Sequence, residues 1–438
     1  MNEKIQEWYG KNGKRLTELI DKIWSKPEAS LEEYEACRNV ADFLKGEGFS
    51  VKTFNCCGEG ERPNTVVADW GSGSPVIGIL GEYDALLGLG QDAVPIRSER
   101  PGYGHGCGHS LMSPAGAGAV CAARAVMEAE HLPGTLRFIA CPAEEIGKGK
   151  IYLMEKGVFD GLDCCMAWHP AGYDATPFEG VLQALAGMKF EFFGEAAHAA
   201  LSPELGKSAL DAAELMNIGV QFLREHVTPD VRIHYIYLNG GDRPNIVPSY
   251  ASLQYYIRAK DMKGNEAVIE RVKRIAQGAA LMTDTQVKWE TEIKSPETCI
   301  LHSFNRFLYQ AMEKIPPVRY TGEEKAFAGE LYRNIMGREP EGEILPEGIR
   351  EPGGTEIPAM GSSDVGCVTK AVPTGRIFGL GILKDIPTHH WGVTATAGMS
   401  IGYKASLFAG QALAQAAYEI AVTPSLIDGF KEELRGKQ

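Results

Sequence analysis

The sequence YGHGCGHS, residues 103–110, contains three glycines, two histidines and one cysteine, and an alanine- and glycine-rich segment follows it. Glycines permit a tight backbone that directs neighbouring side chains towards one point. Imidazole and thiolate are preferred ligands of zinc and related metals. The stretch therefore predicts a loop in which Cys107 and His109 bind metal, and the other ligands must come from elsewhere in the chain.

Short apolar segments alternate with helical patterns on both sides of this loop, which indicates an α/β domain with a mostly parallel sheet. The predicted strands of this domain include residues 76–80, 136–140, 164–168 and 377–380. A different order, strand–helix–strand–strand–helix–strand, occupies the middle of the chain and is the ferredoxin-like arrangement. We therefore predict a catalytic domain formed by residues 1–184 and 297–438, with a second domain, residues 185–296, inserted into it.

Composition and charge limit the possible partners. The chain has 438 residues, a formal charge of -13 and ten cysteines, and its pI is about 5.4. An acidic chain is poorly suited to bind nucleic acid, which requires a basic surface. No apolar run is long enough for a transmembrane helix, and no signal-peptide pattern is present, so the expected location is cytoplasmic with no membrane partner.

Polar residues follow directly on the predicted strands of the first domain. They are Glu82 and Asp84, Glu144 and Glu145, His169, and the pair His389 and His390. Open α/β sheets bind ligands at the edge formed by the carboxyl ends of their strands. Charged residues next to a buried strand are costly unless they are used. We therefore expect Glu144, Glu145, His169 and one of the two late histidines to converge with Cys107 and His109.

The same residues allow other interpretations. Gly104 and Gly106 come close to a dinucleotide-binding fingerprint, but His109 replaces its last glycine and no acidic ribose partner is evident. A cysteine hydrolase would use Cys107 as nucleophile and His109 or His169 as base. That alternative leaves the two glutamates and the late histidine pair without a role. A third alternative is a non-catalytic relative that binds a ligand without cleaving it.

Eight motifs occur in a fixed order along nearly the whole chain. They are EYDAL (82–86), GHGCGH (104–109), PAEE (142–145), AAHA (196–199), PNIVP (244–248), YIR (256–258), GSSD (361–364) and PTHHW (387–391). In these motifs the chain resembles the metallopeptidases and amidohydrolases that include carboxypeptidase G, aminoacylase and the plant auxin-conjugate hydrolases. The resemblance implies a zinc-peptidase-like catalytic domain and an inserted ferredoxin-like α+β domain that serves as lid and homodimer interface.

The resemblance also implies a centre with two divalent ions per subunit, Zn²⁺ or Mn²⁺. Glu144 would be the general base, and Asp84 would orient an imidazole that binds metal. His389 is preferred to His390 because relatives carry one histidine two residues before Trp391. The implied ligands are Cys107, His109, Glu145, His169 and His389, with the thiolate of Cys107 as a possible bridge.

Three residues of the inserted domain match residues that contact substrate in the family. His198 would reach the scissile carbonyl as an oxyanion donor, whereas Asn245 and Arg258 would bind the substrate's carboxylate. The implied reaction is hydrolysis, by a metal-activated water, of the amide bond of an N-acyl amino acid, an aminobenzoyl-glutamate-like conjugate or a dipeptide. The expected partners are therefore this small-molecule substrate and a second copy of the chain.

Overall fold

A computed structural model describes residues 1–58, 61–178, 181–352 and 360–437. It divides into two compact units. The first consists of Met1–Gly180, Cys299–Ile357 and Val368–Gln438, and the second of Val181–Thr298 and Pro358–Cys367. The second unit thus takes in a segment ending at Cys367 that the sequence-based boundaries assigned to the catalytic domain.

Hydrogen bonds explain why that late segment belongs to the second unit. Arg258 Nε donates to Ser362 Oγ at 3.1 Å, and Ser295 Oγ donates to the carbonyl oxygen of Ser363 at 3.0 Å. Both donors are strand residues of the second unit, so the segment is bonded to its sheet. Sequence reasoning placed it elsewhere because these partners lie 104 and 68 residues apart.

Both units are built from regular elements whose bounds are as follows. The strands are β1 (Ser50–Phe54), β2 (Thr65–Ser72), β3 (Val76–Glu82), β4 (Leu86–Leu87), β5 (Tyr103–Gly104), β6 (Gly134–Cys141), β7 (Cys164–Ala171), β8 (Ala184–Phe193), β9 (Arg232–Asn239), β10 (Tyr250–Ala259), β11 (Gln286–Ser295) and β12 (Thr374–Leu380). The helices are α1 (Glu3–Trp24), α2 (Tyr34–Gly46), α3 (Met112–Ala129), α4 (Gly149–Glu155), α5 (Ala209–Leu223), α6 (Met262–Met282), α7 (His302–Glu313), α8 (Gly322–Met336), α9 (Val365–Ala371), α10 (Trp391–Ala397), α11 (Ser400–Val422) and α12 (Leu426–Arg435).

The first unit is organised around a sheet with the strand order β1-β2-β6-β3-β7-β12. Strands β6, β3, β7 and β12 are parallel to one another, and β1 and β2 extend the sheet by antiparallel pairing. The predicted α/β class with a mostly parallel sheet is therefore confirmed. The parallel strands read as continuous apolar runs because both of their faces are covered.

One face of this sheet packs on the alanine-rich helices α3 and α11. Ile77, Phe138 and Trp168 alternate with residues of the opposite face and are fully or almost fully buried in this core. Small side chains along α3 and α11 let the two helices pack closely against each other and the sheet. Within each strand, the residues next to these three point to the opposite face of the sheet. Glu82 and His169 lie on that opposite face.

The second unit has an antiparallel sheet with the order β11-β8-β10-β9. Two helices, α5 and α6, cover one face, and a separate core forms there around Phe190, Met216 and Tyr255. This strand order and helix placement confirm the ferredoxin-like insertion. Among the helices of the described ranges, none is both long and apolar enough to cross a membrane.

Candidate metal centre

The loop that follows β5 can adopt its shape only with glycine at particular positions. A Cβ atom at Gly104 would lie 2.0 Å from the carbonyl oxygen of Leu89, and one at Gly106 would lie 2.2 Å from Leu89 Cδ1. Gly108 has a φ of 81°, in the left-handed region. The chain then makes a short 3₁₀ turn that leads into α3. This path buries both Cys107 and His109 at the carboxyl edge of the sheet.

Ligand-type side chains converge there in two sets that share one sulfur atom. In the first set, Cys107 Sγ lies 3.4 Å from His169 Nε2, and His109 completes the group. In the second set, Cys107 is joined by Glu145 and His389, whose Oε2 and Nε2 atoms are 3.3 Å apart. Within each set all ligand atoms lie within 4.8 Å of one another. The structure thus brings together all five residues that the sequence nominated as ligands.

These distances fit a pair of metal ions. Two ligands of one tetrahedral zinc ion lie about 3.3–3.8 Å apart when the metal–ligand bonds are about 2.0–2.3 Å long. The Cys107–His169 and Glu145–His389 separations of 3.4 and 3.3 Å fall in this range. The Nε2 atom of His109 is buried and makes no hydrogen bond to any described residue. The donor set of thiolate, imidazole and carboxylate suits zinc or manganese.

Asp84 fixes one of these imidazoles. Its Oδ1 atom lies 2.9 Å from His109 Nδ1, so the remaining ring nitrogen, Nε2, is the one turned towards the ligand set. Its Oδ2 atom accepts hydrogen bonds from the Glu145 backbone N–H and from Ser30 Oγ, both at 2.8 Å. One fully buried carboxylate therefore orients ligands from two different segments of the chain.

A third group of possible ligands surrounds the same nitrogen. Glu82 Oε2 and Glu144 Oε2 lie 3.3 and 4.0 Å from His109 Nε2. Because one imidazole nitrogen binds one ion at a time, this group and the Cys107–His109–His169 set describe a single ion position at His109, and the group adds no third ion. The other oxygen of Glu82 is 2.6 Å from Lys150 Nζ, and both side chains are buried. Glu82 is therefore held by an ion pair, whereas Glu144 stands beside the ligand set.

The charges of the cluster reinforce one another. Burial raises the pKa of the Cys107 thiol, but the neighbouring His169 and His109 outweigh burial and hold that pKa well below its ordinary value. Hydrogen bonds to Cys107 and Glu145 raise the pKa of His389 to about 10. Arg376 is buried on β12 and its charge faces Glu82 and Glu144, while burial lowers its pKa to about 10. The site thus stabilises a thiolate, which is the form that binds metal.

The adjacent histidines 389 and 390 have different surroundings. His389 has a φ of 55°, and its backbone N–H donates to the carbonyl oxygen of Gly106 at 2.9 Å, which fastens it to the metal-binding loop. His390 instead caps α10, where its Nδ1 accepts a hydrogen bond from Gly392 N–H at 3.2 Å. Of these two histidines, His389 belongs to a ligand group found among the described residues, and His390 does not. The geometry therefore supports the choice of His389.

The other nominated residues lie in the second unit. His198 is exposed, and its segment pairs with that of Asn245, since Ala199 N–H donates to the Asn245 carbonyl oxygen at 3.0 Å. Arg258 is half-buried on β10, between Ser362 and His234. Their substrate contacts stay a prediction.

Sequence reasoning assigned no function to several residues around the centre. Glu82 received no role, although its position at the end of a buried strand was a usable signal. Lys150, Arg376 and Ser30 gave no such signal, because nothing in their local sequence separates them from surface residues. Glu33 is fully buried beside the loop that carries Glu144. The sequence did not indicate this, because Glu33 is one of several acidic residues that precede an ordinary amphipathic helix.

Fold and site together define a hydrolase with a metal centre at the edge of a parallel sheet. The sequence profile described as Peptidase family M20/M25/M40 matches residues 78–404. The chain belongs to this family, as its motifs indicated, and is accordingly a metal-dependent amidohydrolase.

Individual relatives agree with this assignment. The chain is 35% identical to the B subunit of the p-aminobenzoyl-glutamate hydrolase of Escherichia coli (strain K12), over 96% of this chain and 92% of the relative. It is 30% identical to the Xaa-Arg dipeptidase of Mus musculus, over 100% and 93% of the two chains. The crystal structure of the Bacillus subtilis YXEP protein, a dinuclear metal-binding peptidase from the M20 family, superposes with a TM-score of 0.60 at 20% identity, covering 94% of this chain and 99% of that one.

Proposed function

We propose that this protein hydrolyses the amide bond of an N-acyl amino acid, an aminobenzoyl-glutamate-like conjugate or a dipeptide. Two divalent ions, Zn²⁺ or Mn²⁺, would be held by Cys107, His109 and His169 on one side and by Cys107, Glu145 and His389 on the other. When bound, such ions activate water and stabilise negative charge on the carbonyl oxygen. The observation that carries the proposal is the sharing of Cys107 by two complete ligand sets.

The protein's own residues would move the proton. Glu144 stands next to the ligands, with Oε2 4.0 Å from His109 Nε2, where its carboxylate would accept a proton from the attacking water. It would then pass that proton to the leaving nitrogen. Asp84 would keep the His109 ring in position throughout, because its carboxylate is bonded to Nδ1.

Substrate recognition is assigned to the second unit. His198 would donate to the carbonyl oxygen of the scissile amide, and Asn245 and Arg258 would bind the substrate's carboxylate. Arg258 suits this task because Ser362 at its Nε and His234 at its Nη1 orient the planar guanidinium, which can pair with a carboxylate. The names of the relatives, a hydrolase of an aminobenzoyl-glutamate and a dipeptidase, agree with substrates that carry such a carboxylate.

Metal removal tests the proposal directly. Dialysis of the purified protein against a chelator should abolish hydrolysis of an active substrate from a panel of N-acyl amino acids, p-aminobenzoyl-glutamate and dipeptides. Addition of Zn²⁺ or Mn²⁺ should restore it, with about two ions per chain by elemental analysis. Activity that survives metal removal would instead favour Cys107 as a nucleophile, and binding of the panel without cleavage would favour a non-catalytic relative.

We also propose that the chain forms a homodimer through its second unit. Strand β9 lies at the edge of its sheet, where unpaired backbone groups can pair with an identical strand. Ile236 and Leu238 on this strand are 57% and 48% exposed, and Ile218 and Phe222 on α5 are 50% and 73% exposed. A second copy would cover exposed apolar side chains of the strand and of the helix. The cytoplasmic location stays a prediction.

Replacing Ile236 by Lys is expected to convert the dimer to a monomer in sedimentation velocity, because a buried lysine would be introduced at each of two symmetric contacts. Leu87→Lys is the matched control, since Leu87 is 71% exposed in the first unit, and it should leave the dimer intact. A monomeric wild-type chain would refute the proposal. Assembly only with a second type of chain would do the same, and that outcome is worth measuring because one relative is named as a single subunit of its hydrolase.

A further inference from the structure

Beneath the metal centre lies a segment, residues 28–33, that connects α1 to α2. It runs alongside the chain at Ala85, where Ala29 forms a parallel bridge and Ala85 N–H donates to the Glu28 carbonyl oxygen at 2.9 Å. Ser30 Oγ donates to Asp84 Oδ2 at 2.8 Å. The segment 28–33 is thus hydrogen-bonded to the carboxylate that orients His109.

Glu33 ends this segment and is fully buried. Its Oε1 atom accepts a hydrogen bond of 2.7 Å from the backbone N–H of Ala143, the residue immediately before Glu144. Ala143 has a φ of 55°, a left-handed conformation that a residue with a Cβ atom adopts at a cost in strain. Some interaction must hold it there, and the Glu33 bond is directed at the N–H of that same residue.

The loop that begins at Ala143 depends on this conformation. The carbonyl oxygen of Ala143 accepts hydrogen bonds from Lys148 and Gly149 N–H, both at 3.2 Å, and the carbonyl oxygen of Glu144 accepts one from Gly147 N–H at 2.7 Å. The loop therefore closes on itself at Ala143, and Glu144 is the next residue along it. A change at Ala143 would shift the carboxylate of Glu144 relative to the ligands.

We infer that Glu33 is a positioning residue, which sets the orientation of Glu144 by anchoring the Ala143 backbone. The inference rests on the proposed role of Glu144 as general base. Glu33 itself is bonded to the backbone of Ala143 and acts on Glu144 through that backbone.

Substitutions of Glu33 can keep or remove the acceptor of the Ala143 hydrogen bond. Burial and the negative charge of Asp84 raise the pKa of Glu33 to about 8. A raised pKa favours the neutral carboxyl group, and glutamine is a neutral side chain of the same size that keeps a carbonyl acceptor. Leucine is of similar bulk but has no acceptor. Aspartate keeps a carboxyl group but is one methylene too short to reach the Ala143 N–H.

Four variants test the inference at pH 7 on the metal-loaded protein. Glu33→Gln should keep kcat within about threefold of wild type, because the acceptor is retained. Glu33→Leu and Glu33→Asp should lower kcat on the order of 10²-fold, with KM and metal content within about twofold, because the general base is misplaced while the ligands remain. Glu32→Leu, at the exposed neighbouring position, should match wild type.

A second readout is independent of turnover. Hydrogen exchange of the peptide 142–149 should be about tenfold faster in the leucine and aspartate variants and unchanged in the glutamine variant. If the leucine variant does not fold, the contrast between glutamine and aspartate carries the same information.

Several outcomes would overturn the inference. Wild-type kcat in both the aspartate and leucine variants would show that the anchor is not needed. A glutamine variant as impaired as leucine would show that the carboxyl group matters rather than its acceptor. A loss confined to metal content would make Glu33 a purely structural residue. Failure of the proposed function is recognised separately, since the wild-type protein would then lack hydrolytic activity or Glu144→Gln would retain it.

Discussion

Substitution of Glu144 by glutamine is expected to lower kcat by about 10² to 10⁴-fold while about two metal ions remain bound per chain. Glutamine has the same shape as glutamate but does not accept a proton at neutral pH. Glu144 belongs to neither of the two ligand sets that share Cys107, so the metal centre should persist. The measurement is steady-state hydrolysis of an active substrate alongside elemental analysis of the same preparation.

Two further substitutions serve as controls for the Glu144 variant. Glu155→Gln changes an exposed residue at the end of α4 and should behave as wild type. Glu145→Gln changes a ligand and should reduce metal content together with activity. Retention of activity in the Glu144 variant would eliminate its role as general base, yet it would leave the metal site as described.

Substitution of Cys107 by alanine is expected to affect metal binding more than any other single change. Cys107 is the only residue common to the two ligand sets that share its sulfur, so its loss leaves two ligands in each. We expect metal content to fall from about two ions to below one and turnover to be lost, because structural and catalytic zinc sites generally need three or four protein ligands. Elemental analysis after gel filtration and a chelator competition assay would measure the change.

Two control variants distinguish the loss of a shared ligand from general disruption of the metal-binding loop. His389→Ala removes a ligand from one set only and should cost one ion. His390→Ala changes the adjacent residue, which caps α10 through Gly392, and should leave both ions in place. Equal loss from all three variants would point to disruption of the loop, and retention of two ions without Cys107 would rule out a shared thiolate.

Much of the fold was predictable because its parallel strands carry continuous apolar runs. Strands β3, β6, β7 and β12 were recognisable for this reason, and the change of pattern in the middle of the chain revealed the inserted unit. Strands β1 and β2 were not predicted, since they extend the sheet antiparallel at its edge, β1 is short, and both mix apolar with polar residues. The assignment of residues 360–367 to the second unit depends on hydrogen bonds between distant residues, which local patterns do not contain.

The candidate site also has features that the sequence predicted and features that only the structure revealed. The sequence by itself determined that Cys107 and His109 sit in a glycine-rich loop and that glutamates and histidines follow buried strands, because chemistry at strand ends leaves a local signature. Only the tertiary structure decided that Cys107 is shared by two ligand sets, that His389 rather than His390 joins one of them, and that Glu33 reaches Ala143 across 110 residues. The physical reason is that a buried polar group is specified by partners brought to it by folding, and one-dimensional spacing does not record those partners.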